Sequence, residues 1–195
     1  MMKKIVFCFV TLLTFFSCKN HNVDITAFEE EPDSTLYTVI NECSDSLLQL
    51  SCLGDGKNIT CDYRQALKAE KLVGTLTIGD TLAVMIEDST DIMRSAVNIS
   101  NLVGKWVIDD DPNRNGLEMT NDNVAVTIGR TADVALKTWK VHNGELIISY
   151  VLSDGSDYNY HADTSSVSLM NKDVCHLSLH GTQLKLSRQK GLIVK

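Results

Sequence analysis

Oxygen-bearing side chains are concentrated in one short stretch of the chain, DDDPNRNG at residues 109–116. Asp111, Asn113, Asn115 and Gly116 have the D-x-N-x-N-G spacing of a calcium-binding loop, and Asp122 falls at its twelfth position. Calcium takes about six to eight oxygen ligands, which alternate residues of a tight loop can supply. Asp, Asn, Pro and Gly also dominate ordinary connections between strands. The stretch therefore predicts either a calcium site or a plain turn.

The cysteines beyond the N-terminal segment show no CxxC spacing. They are Cys43, Cys52, Cys61 and Cys175. Cys52 and Cys61 lie on predicted strands on either side of Asp55-Gly56, a pair that favours a two-residue hairpin turn. Such a turn pairs Cys52 with Ile59 and puts both thiols diagonally on one face of the sheet. The pattern predicts either a strained disulfide between Cys52 and Cys61 or two buried thiols.

Signatures of catalysis are missing from the sequence, which contains no GxSxG, HExxH or phosphate-loop motif. Four histidines lie opposite the apolar face of their predicted strands, so we expect them to face solvent. They are His142, His161, His176 and His180. The sequence therefore predicts a protein that is not an enzyme and that has no cofactor apart from the calcium considered above.

The first 18 residues, MMKKIVFCFVTLLTFFSC, have the order of a secretory signal peptide. Lys3 and Lys4 precede an apolar run at 5–16, which is shorter than the roughly 20 residues that span a bilayer. Cys18 follows a small residue, which resembles a bacterial lipobox, although Phe15 stands where Leu is usual. The resemblance implies cleavage of residues 1–17, a lipid such as palmitate on Cys18, and anchoring in the cell envelope, where we expect the outer membrane. The alternative is an uncleaved anchor or ordinary secretion.

The composition is acidic, with a formal net charge of −7. Loss of Lys3 and Lys4 with the signal peptide changes this charge to −9. Phosphate backbones and anionic lipids repel such a chain, so nucleic acid is excluded as a partner and the lipid on Cys18 must supply the membrane affinity. Residues 18–35 are polar and acidic, which predicts a flexible lipidated tether.

Residues 36–100 alternate in short apolar runs separated by turn signals, which predicts a small all-β domain of about five strands. One helix is predicted at Arg64–Lys71, which is rich in good helix formers. The turn G-x-L-x-x-G-D at residues 74–80 resembles that of OB-like barrels found ahead of a lipocalin-like domain in some envelope lipoproteins.

Residues 101–190 form a second series of predicted strands, with a tail at 191–195. Alternation along successive strands predicts an up-and-down β-barrel, because closure removes exposed sheet edges. One parity of the strands gives the expected interior: Val124, Val126, Ile128, Trp139, Val141, Leu146, Ile148, Tyr150, Tyr158, Tyr160, Cys175, Leu177, Leu179, Leu184 and Leu186.

This second unit resembles the lipocalin-like (calycin) family on three features. Gly104-x-Trp106 lies on its first strand, Arg188 ends its last strand, and Leu136–Tyr150 looks like the central hairpin of bacterial lipocalin-like lipoproteins. The resemblance implies a lipocalin-like barrel that follows a smaller OB-like barrel. It also implies contact between Trp106 and Arg188, since closure brings the first and last strands together, with the guanidinium stacked on the indole.

The predicted interior leaves two functions open. Four aromatic residues share its parity and are candidates to line a ligand pocket, or else to fill the core: Trp139, Tyr150, Tyr158 and Tyr160. A hollow barrel predicts binding of a small apolar or amphipathic molecule. A filled barrel predicts an interaction or structural lipoprotein that contacts another envelope protein.

Overall fold

The computed structural model describes residues 32–129, 134–154 and 157–190, together with the side chains of all of these except 153, 154, 157 and 158. The predicted signal peptide, Cys18 and the tail at 191–195 lie outside the described residues. None of the helices within those ranges is both long enough and apolar enough to cross a membrane. The chain is all-β, as predicted, and its strands form one six-stranded and one eight-stranded sheet.

The first sheet closes into a small five-stranded barrel. Its elements are β1 (Leu36–Cys43), β2 (Leu47–Cys52), β3 (Asn58–Asp62), α1 (Arg64–Lys68), β4 (Leu72–Val73), β5 (Thr81–Glu87) and β6 (Ile92–Asn98). The strand order is β3-β2-β1-β5-β6-β4, and a parallel contact of β3 with β6 closes the barrel. Alternate residues such as Leu48 and Leu50 of β2 are fully buried, because successive side chains of a strand point to opposite faces. The smaller barrel is thus confirmed, and its kinship with OB barrels stays a prediction.

The helix α1 is shorter than the predicted Arg64–Lys71. Glu70 takes a left-handed conformation with φ of 56°, and the Lys71 N–H donates to the carbonyl oxygen of Ala66 at 2.9 Å. Helices commonly end in this way: one residue is left-handed, and the N–H of the next residue donates to a carbonyl five positions earlier in the chain. The good helix formers at 69–71 therefore belong to the turn that leads into β4.

The hairpin of β2 and β3 has a longer turn than predicted. Cys52 N–H donates to the Lys57 carbonyl at 2.8 Å, so residues 53–56 form a four-residue loop. The register consequently moves by two residues and pairs Leu50 with Ile59 and Leu48 with Cys61. Cys61 pairs with Leu48, and Cys52 lies four residues further along β2 than Leu48, which is about 13 Å. This distance rules out the predicted Cys52–Cys61 disulfide, which needs α-carbons within about 7 Å.

A single helical turn, α2 (Ile99–Leu102), connects the two sheets. The side chain of Asn98 accepts a hydrogen bond from the Asn101 N–H at 2.8 Å and caps this turn. The change from one sheet to the other occurs between Asn98 and Gly104. The division into two independent domains stays a prediction.

The second sheet forms a nearly closed eight-stranded barrel, which we call the large barrel. Its strands are β7 (Gly104–Ile108), β8 (Gly116–Met119), β9 (Ala125–Ile128), β10 (Val134–His142), β11 (Glu145–Asp154), β12 (Asp157–Met170), β13 (Val174–Leu179) and β14 (Thr182–Arg188). Consecutive strands pair with each other except β9 with β10, and β14 pairs with β7, so the first and last strands meet as predicted.

The seam of the large barrel lies between β9 and β10. One isolated backbone bridge joins Val124 to Thr138 there. Further along, the Thr127 hydroxyl donates to the Val134 carbonyl at 3.3 Å and accepts from the Leu136 N–H at 3.0 Å. A side chain thus supplies hydrogen bonds that a backbone ladder would otherwise make.

The strand β9 faces inward with the opposite parity to that predicted. Ala125 is buried and Val126 is 44% exposed, because Ala125 pairs with Met119, whose side chain fills the interior. Most of the other predicted interior residues are buried: Trp139, Val141, Leu146, Ile148, Tyr150, Cys175, Leu177, Leu179 and Leu186.

The hairpin between β10 and β11 is hydrogen-bonded to residues 33–35, near the start of the described part of the chain. Asn143 and Gly144 both have positive φ, as a tight two-residue turn requires. Asp33 Oδ1 accepts from the Asn143 N–H at 3.0 Å, and the Ser34 N–H donates to Asn143 Oδ1 at 2.9 Å. Residues 33–35, which the sequence assigns to a flexible tether, are therefore held against this hairpin; Thr35 accepts from the Gly144 N–H.

Candidate functional site

Trp106 and Arg188 are in contact at the end of the large barrel that carries α2. The Arg188 guanidinium carbon lies 4.2 Å from the centroid of the Trp106 ring, and the indole is 1% exposed. A Cβ on Gly104, whose φ is 142°, would come within 2.1 Å of Arg188 Nη1. Glycine at 104 therefore makes room for the guanidinium and permits a backbone conformation that other residues rarely adopt.

The same two side chains satisfy the carbonyl groups at the end of α2. Trp106 Nε1 donates to the Leu102 carbonyl at 2.8 Å, and Arg188 Nη1 donates to that of Val103 at 2.8 Å. Arg188 also donates from Nη2 to the Asn101 carbonyl and from Nε to that of Lys172. Burial lowers the pKa of Arg188, although a guanidinium stays charged at any physiological pH. Trp106 and Arg188 therefore cover this end of the barrel.

The predicted aromatic lining is not observed. Trp139 and Tyr150 point inward but are packed as core, at 3% and 0% exposure. Tyr160 is 64% exposed and faces solvent, because it pairs with Val151 whereas the inward Tyr150 pairs with His161. The side chain of Tyr158 lies outside the described residues. Trp139, Tyr150 and Tyr160 are not among the residues that line the cavities described below.

A cavity of about 170 Å³ lies instead at the other end of the large barrel, near the β7–β8 and β13–β14 connections. Its walls are mainly aliphatic, with a few polar groups at the rim. The lining residues are Ile108, Gly116, Leu117, Thr127, Val134, Leu136, Leu179, His180, Thr182 and Leu184. An apolar cavity of about 150 Å³ in another protein stays dry and holds a benzene molecule. We therefore expect this space to hold one ring or a short alkyl group.

One wall of this cavity is part of a polar cluster that the sequence pattern did not reveal. The Tyr150 hydroxyl donates to Asp163 Oδ2, and its oxygen lies 2.7 Å from His180 Nδ1. His161 stacks on the Tyr150 ring at 5.5 Å between centroids and 16° between planes. His161 and His180 thus both contact Tyr150, although the His180 side chain is also 55% exposed, in keeping with the prediction that it faces solvent.

The reason lies in β12, whose inward row is polar. His161, Asp163 and Ser165 point into the barrel, while Tyr160 points out. The strand β12 runs unbroken from Asp157 to Met170 and pairs first with β11 and then with β13. Burial and the nearby Asp163 raise the pKa of Tyr150 to about 12, so this tyrosine keeps its proton at neutral pH.

Comparison with known proteins agrees with this barrel. Residues 98–189 match the model of the lipocalin-like family. That segment is a lipocalin-like barrel. A solved structure of a lipocalin-like protein from Bacteroides thetaiotaomicron VPI-5482 is 22% identical to the chain; the match covers 46% of this chain and 97% of that one, with a TM-score of 0.39. No curated protein matches the chain.

The predicted calcium ligands do not converge in the lipocalin-like barrel. The loop with Asp111 precedes β8, whereas Asp122 lies in the turn that follows it, about 10 Å away along the strand. Ligands of one calcium ion each lie about 2.3–2.6 Å from it, so Asp122 cannot join the set. The Asp111 carboxylate accepts from the N–H groups of Asn113, at 2.8 Å, and of Asn115, at 3.2 Å. Within the described ranges, no three His, Cys, Asp or Glu side chains are grouped as a metal site would require.

The four described cysteines are all free thiols. Burial raises the pKa of Cys61 and of Cys175 to about 11 in each case. Both are therefore protonated at neutral pH, whereas the reactive form of cysteine is the thiolate. They act as small core residues, the second of the two alternatives for Cys61.

A second cavity, which we call the cleft, lies between the small barrel and the lipocalin-like barrel and measures about 470 Å³. Val73, Met85 and Val97 line it on one side, and Leu146 and Ser165 line it on the other. Ser165 Oγ is buried and, among the described side chains, is an unpaired polar atom.

Proposed function

We propose that this protein is a membrane-anchored envelope lipoprotein whose lipocalin-like barrel binds a small apolar or amphipathic molecule. The observation that supports this proposal is the aliphatic cavity of about 170 Å³ at the end of the barrel away from Arg188. Pockets for small molecules are typically apolar with a few polar groups that fix orientation, and His180 supplies such a group here. The size of the cavity restricts the bound part to a ring or a short chain, which can belong to a larger amphiphile.

Binding can be tested with p-xylene as a probe, measured by calorimetry and by its effect on the melting temperature. A ligand that binds the folded state raises that temperature with increasing concentration. Leu184→Trp, which fills the cavity from its half-buried rim, is expected to abolish the effect. Leu169→Trp is the matched control, because Leu169 is exposed and does not line the cavity. Absence of p-xylene binding by the wild type would contradict the proposal.

The filled half of the barrel favours the alternative of a lipoprotein that contacts another envelope protein. Trp106, Trp139 and Tyr150 are buried in the interior and belong to one core cluster. Under this alternative, p-xylene fails to bind and the Leu184→Trp variant keeps the wild-type function in the envelope.

Anchoring rests on the signal sequence alone. Radiolabelled palmitate is expected to label the wild type, and Cys18→Ala should lose both label and membrane association. Cys43→Ala is the control, since Cys43 is an exposed thiol outside the signal region. Label retained by Cys18→Ala would refute the anchoring proposal.

No part of the proposal requires catalysis. The lipocalin-like fold is generally a binding fold, and the buried thiols of Cys61 and Cys175 are protonated. Tyr150, His180 and Asp163 of the polar cluster form a hydrogen-bonded support for the cavity wall.

A further inference from the structure

His180 presents one ring nitrogen that none of the described residues uses. It lies in the turn between β13 and β14 with φ of 48°, and it forms part of the cavity wall. Its Nδ1 is 2.7 Å from the Tyr150 hydroxyl oxygen, and no described residue hydrogen-bonds to its Nε2. The His180 side chain is 55% exposed, and His180 is one of the residues that line the cavity.

The direction of the hydrogen bonds fixes the chemistry of that nitrogen. A carboxylate accepts hydrogen bonds and cannot donate them, so the single Tyr150 proton goes to Asp163 Oδ2. The Tyr150 oxygen must then accept from His180, which requires the proton of the neutral ring to sit on Nδ1. Nε2 of the neutral ring consequently carries a lone pair and acts as an acceptor.

The other polar groups at the rim do not impose a direction. The Thr127 hydroxyl is already occupied as donor and acceptor in the seam. Thr182 is exposed and carries a hydroxyl that can donate or accept. Asp163 Oδ2 lies 3.5 Å from His180 Nδ1, so its negative charge disfavours a carboxylate on the ligand.

We propose that the cavity selects small apolar molecules that carry a hydroxyl group, such as phenols, by donation of that hydroxyl to Nε2 of His180. This inference rests on the proposed binding function and adds the class of ligand. The apolar body of the ligand occupies the space lined by Leu117, Leu136 and Leu184, and its hydroxyl lies at the rim.

The test compares p-cresol, p-xylene and p-toluate, which share one ring and differ in a hydroxyl, a methyl and a carboxylate group. Dissociation constants are measured by calorimetry on the full chain at about pH 8, above the range in which imidazoles usually titrate. A neutral hydrogen bond changes affinity by roughly twofold to tenfold. We therefore expect the preference for p-cresol over p-xylene to fall about fivefold in His180→Asn, which retains tolerance of the left-handed turn.

Two further variants separate the tautomer from the ring. Tyr150→Phe keeps the aromatic packing but frees the proton of His180 to move to Nε2, so it should lower the same preference. His176→Asn is the matched control, because His176 lies on β13 outside the cavity lining, and it should leave the preference unchanged.

The outcomes separate this inference from the function on which it rests. If p-xylene binds but His180→Asn and Tyr150→Phe leave the preference unchanged, the assignment of Nε2 is wrong and the binding function stands. Tighter binding of p-toluate than of p-cresol by the wild type would also overturn the assignment, since it would require a cationic ring. If none of the three probes binds, both proposals fail.

Discussion

Removal of the Arg188 guanidinium should destabilise the lipocalin-like barrel more than the loss of an ordinary surface charge. Arg188 donates to the carbonyls of Asn101, Val103 and Lys172, and it covers Trp106. Arg188→Met retains most of the apolar stem but removes all three of these hydrogen bonds. Arg188→Ala removes the stem as well.

The expected magnitude follows from the burial of the partners. Asn101 is 1% exposed, and a buried acceptor that loses its donor costs about 1–3 kcal/mol. The other carbonyls add less where water replaces the guanidinium, and relief of the buried charge offsets part of the loss. We expect about 3 kcal/mol for Arg188→Met. Arg188→Ala should cost about 1 kcal/mol more, because the contact of the stem with Trp106 is also lost.

Urea denaturation followed by tryptophan fluorescence measures this effect directly, since Trp106 and Trp139 are the two tryptophans of the chain and both lie in the lipocalin-like barrel. A loss of 3 kcal/mol corresponds to a fall in melting temperature of roughly 10 °C for a chain of this size. Lys185→Met is the control, because Lys185 is an exposed cation on the same strand.

The reasoning would be refuted if Arg188→Met matched the wild type within about 0.5 kcal/mol, since the carbonyls would then need no donor from the protein. Gly104→Ala gives an independent check, because its Cβ would collide with Arg188 Nη1. The collision disappears when Arg188 is alanine, so the two substitutions together should cost less than the sum of their separate effects.

Three further substitutions test other contacts. Ser165→Ala should leave stability unchanged or raise it by about 1 kcal/mol in urea denaturation, because the hydroxyl that it removes is buried without a partner; a loss above 1 kcal/mol would mean that the hydroxyl is satisfied. Thr127→Val should lower the free energy of unfolding by about 1–2 kcal/mol and speed hydrogen exchange at the Leu136 amide, which donates to the Thr127 hydroxyl. Unchanged exchange at that amide would show that the seam does not need the hydroxyl. Gly144→Ala should lower the free energy of unfolding more than Gly181→Ala, since both glycines have positive φ but only a Cβ at 144 would lie 2.0 Å from Ser95 Oγ on β6. Equal losses of stability would contradict the contact of the β10–β11 hairpin with β6 of the small barrel.

Features that depend on composition over many residues were predictable from the sequence. Strand alternation sufficed for an all-β chain with a large and a small barrel, because burial of one face imposes a period of two. The contact of Trp106 with Arg188 was also accessible, since an up-and-down barrel must bring its first and last strands together.

Features that depend on a single turn were not predictable. Asp55-Gly56 favours a two-residue turn, yet the chain makes a four-residue loop and shifts the register of the hairpin by two. A shift of two keeps every side chain on its face, so the hydrophobic pattern cannot detect it. The predicted proximity of Cys52 and Cys61 is therefore wrong, whereas Cys61 is buried, as one of the two alternatives predicted.

The candidate site was missed for a different reason, which concerns the inward row of β12. Hydrophobic alternation assigned Tyr160 to the interior, but His161, Asp163 and Ser165 occupy it. Burying polar groups costs free energy unless they have hydrogen-bond partners. A sequence rule that assigns apolar residues to the interior therefore predicts the wrong face of this strand to point inward. Tyr150 supplies the partner that Asp163 needs, and Ser165 has none among the described side chains. The row lies outside the cavity lining, but Asp163 is connected to it through the Tyr150 hydroxyl and His180, which does line the cavity. Sequence rules fail most readily where polar groups serve a function, so within this row we expect Asp163 to influence ligand preference through His180.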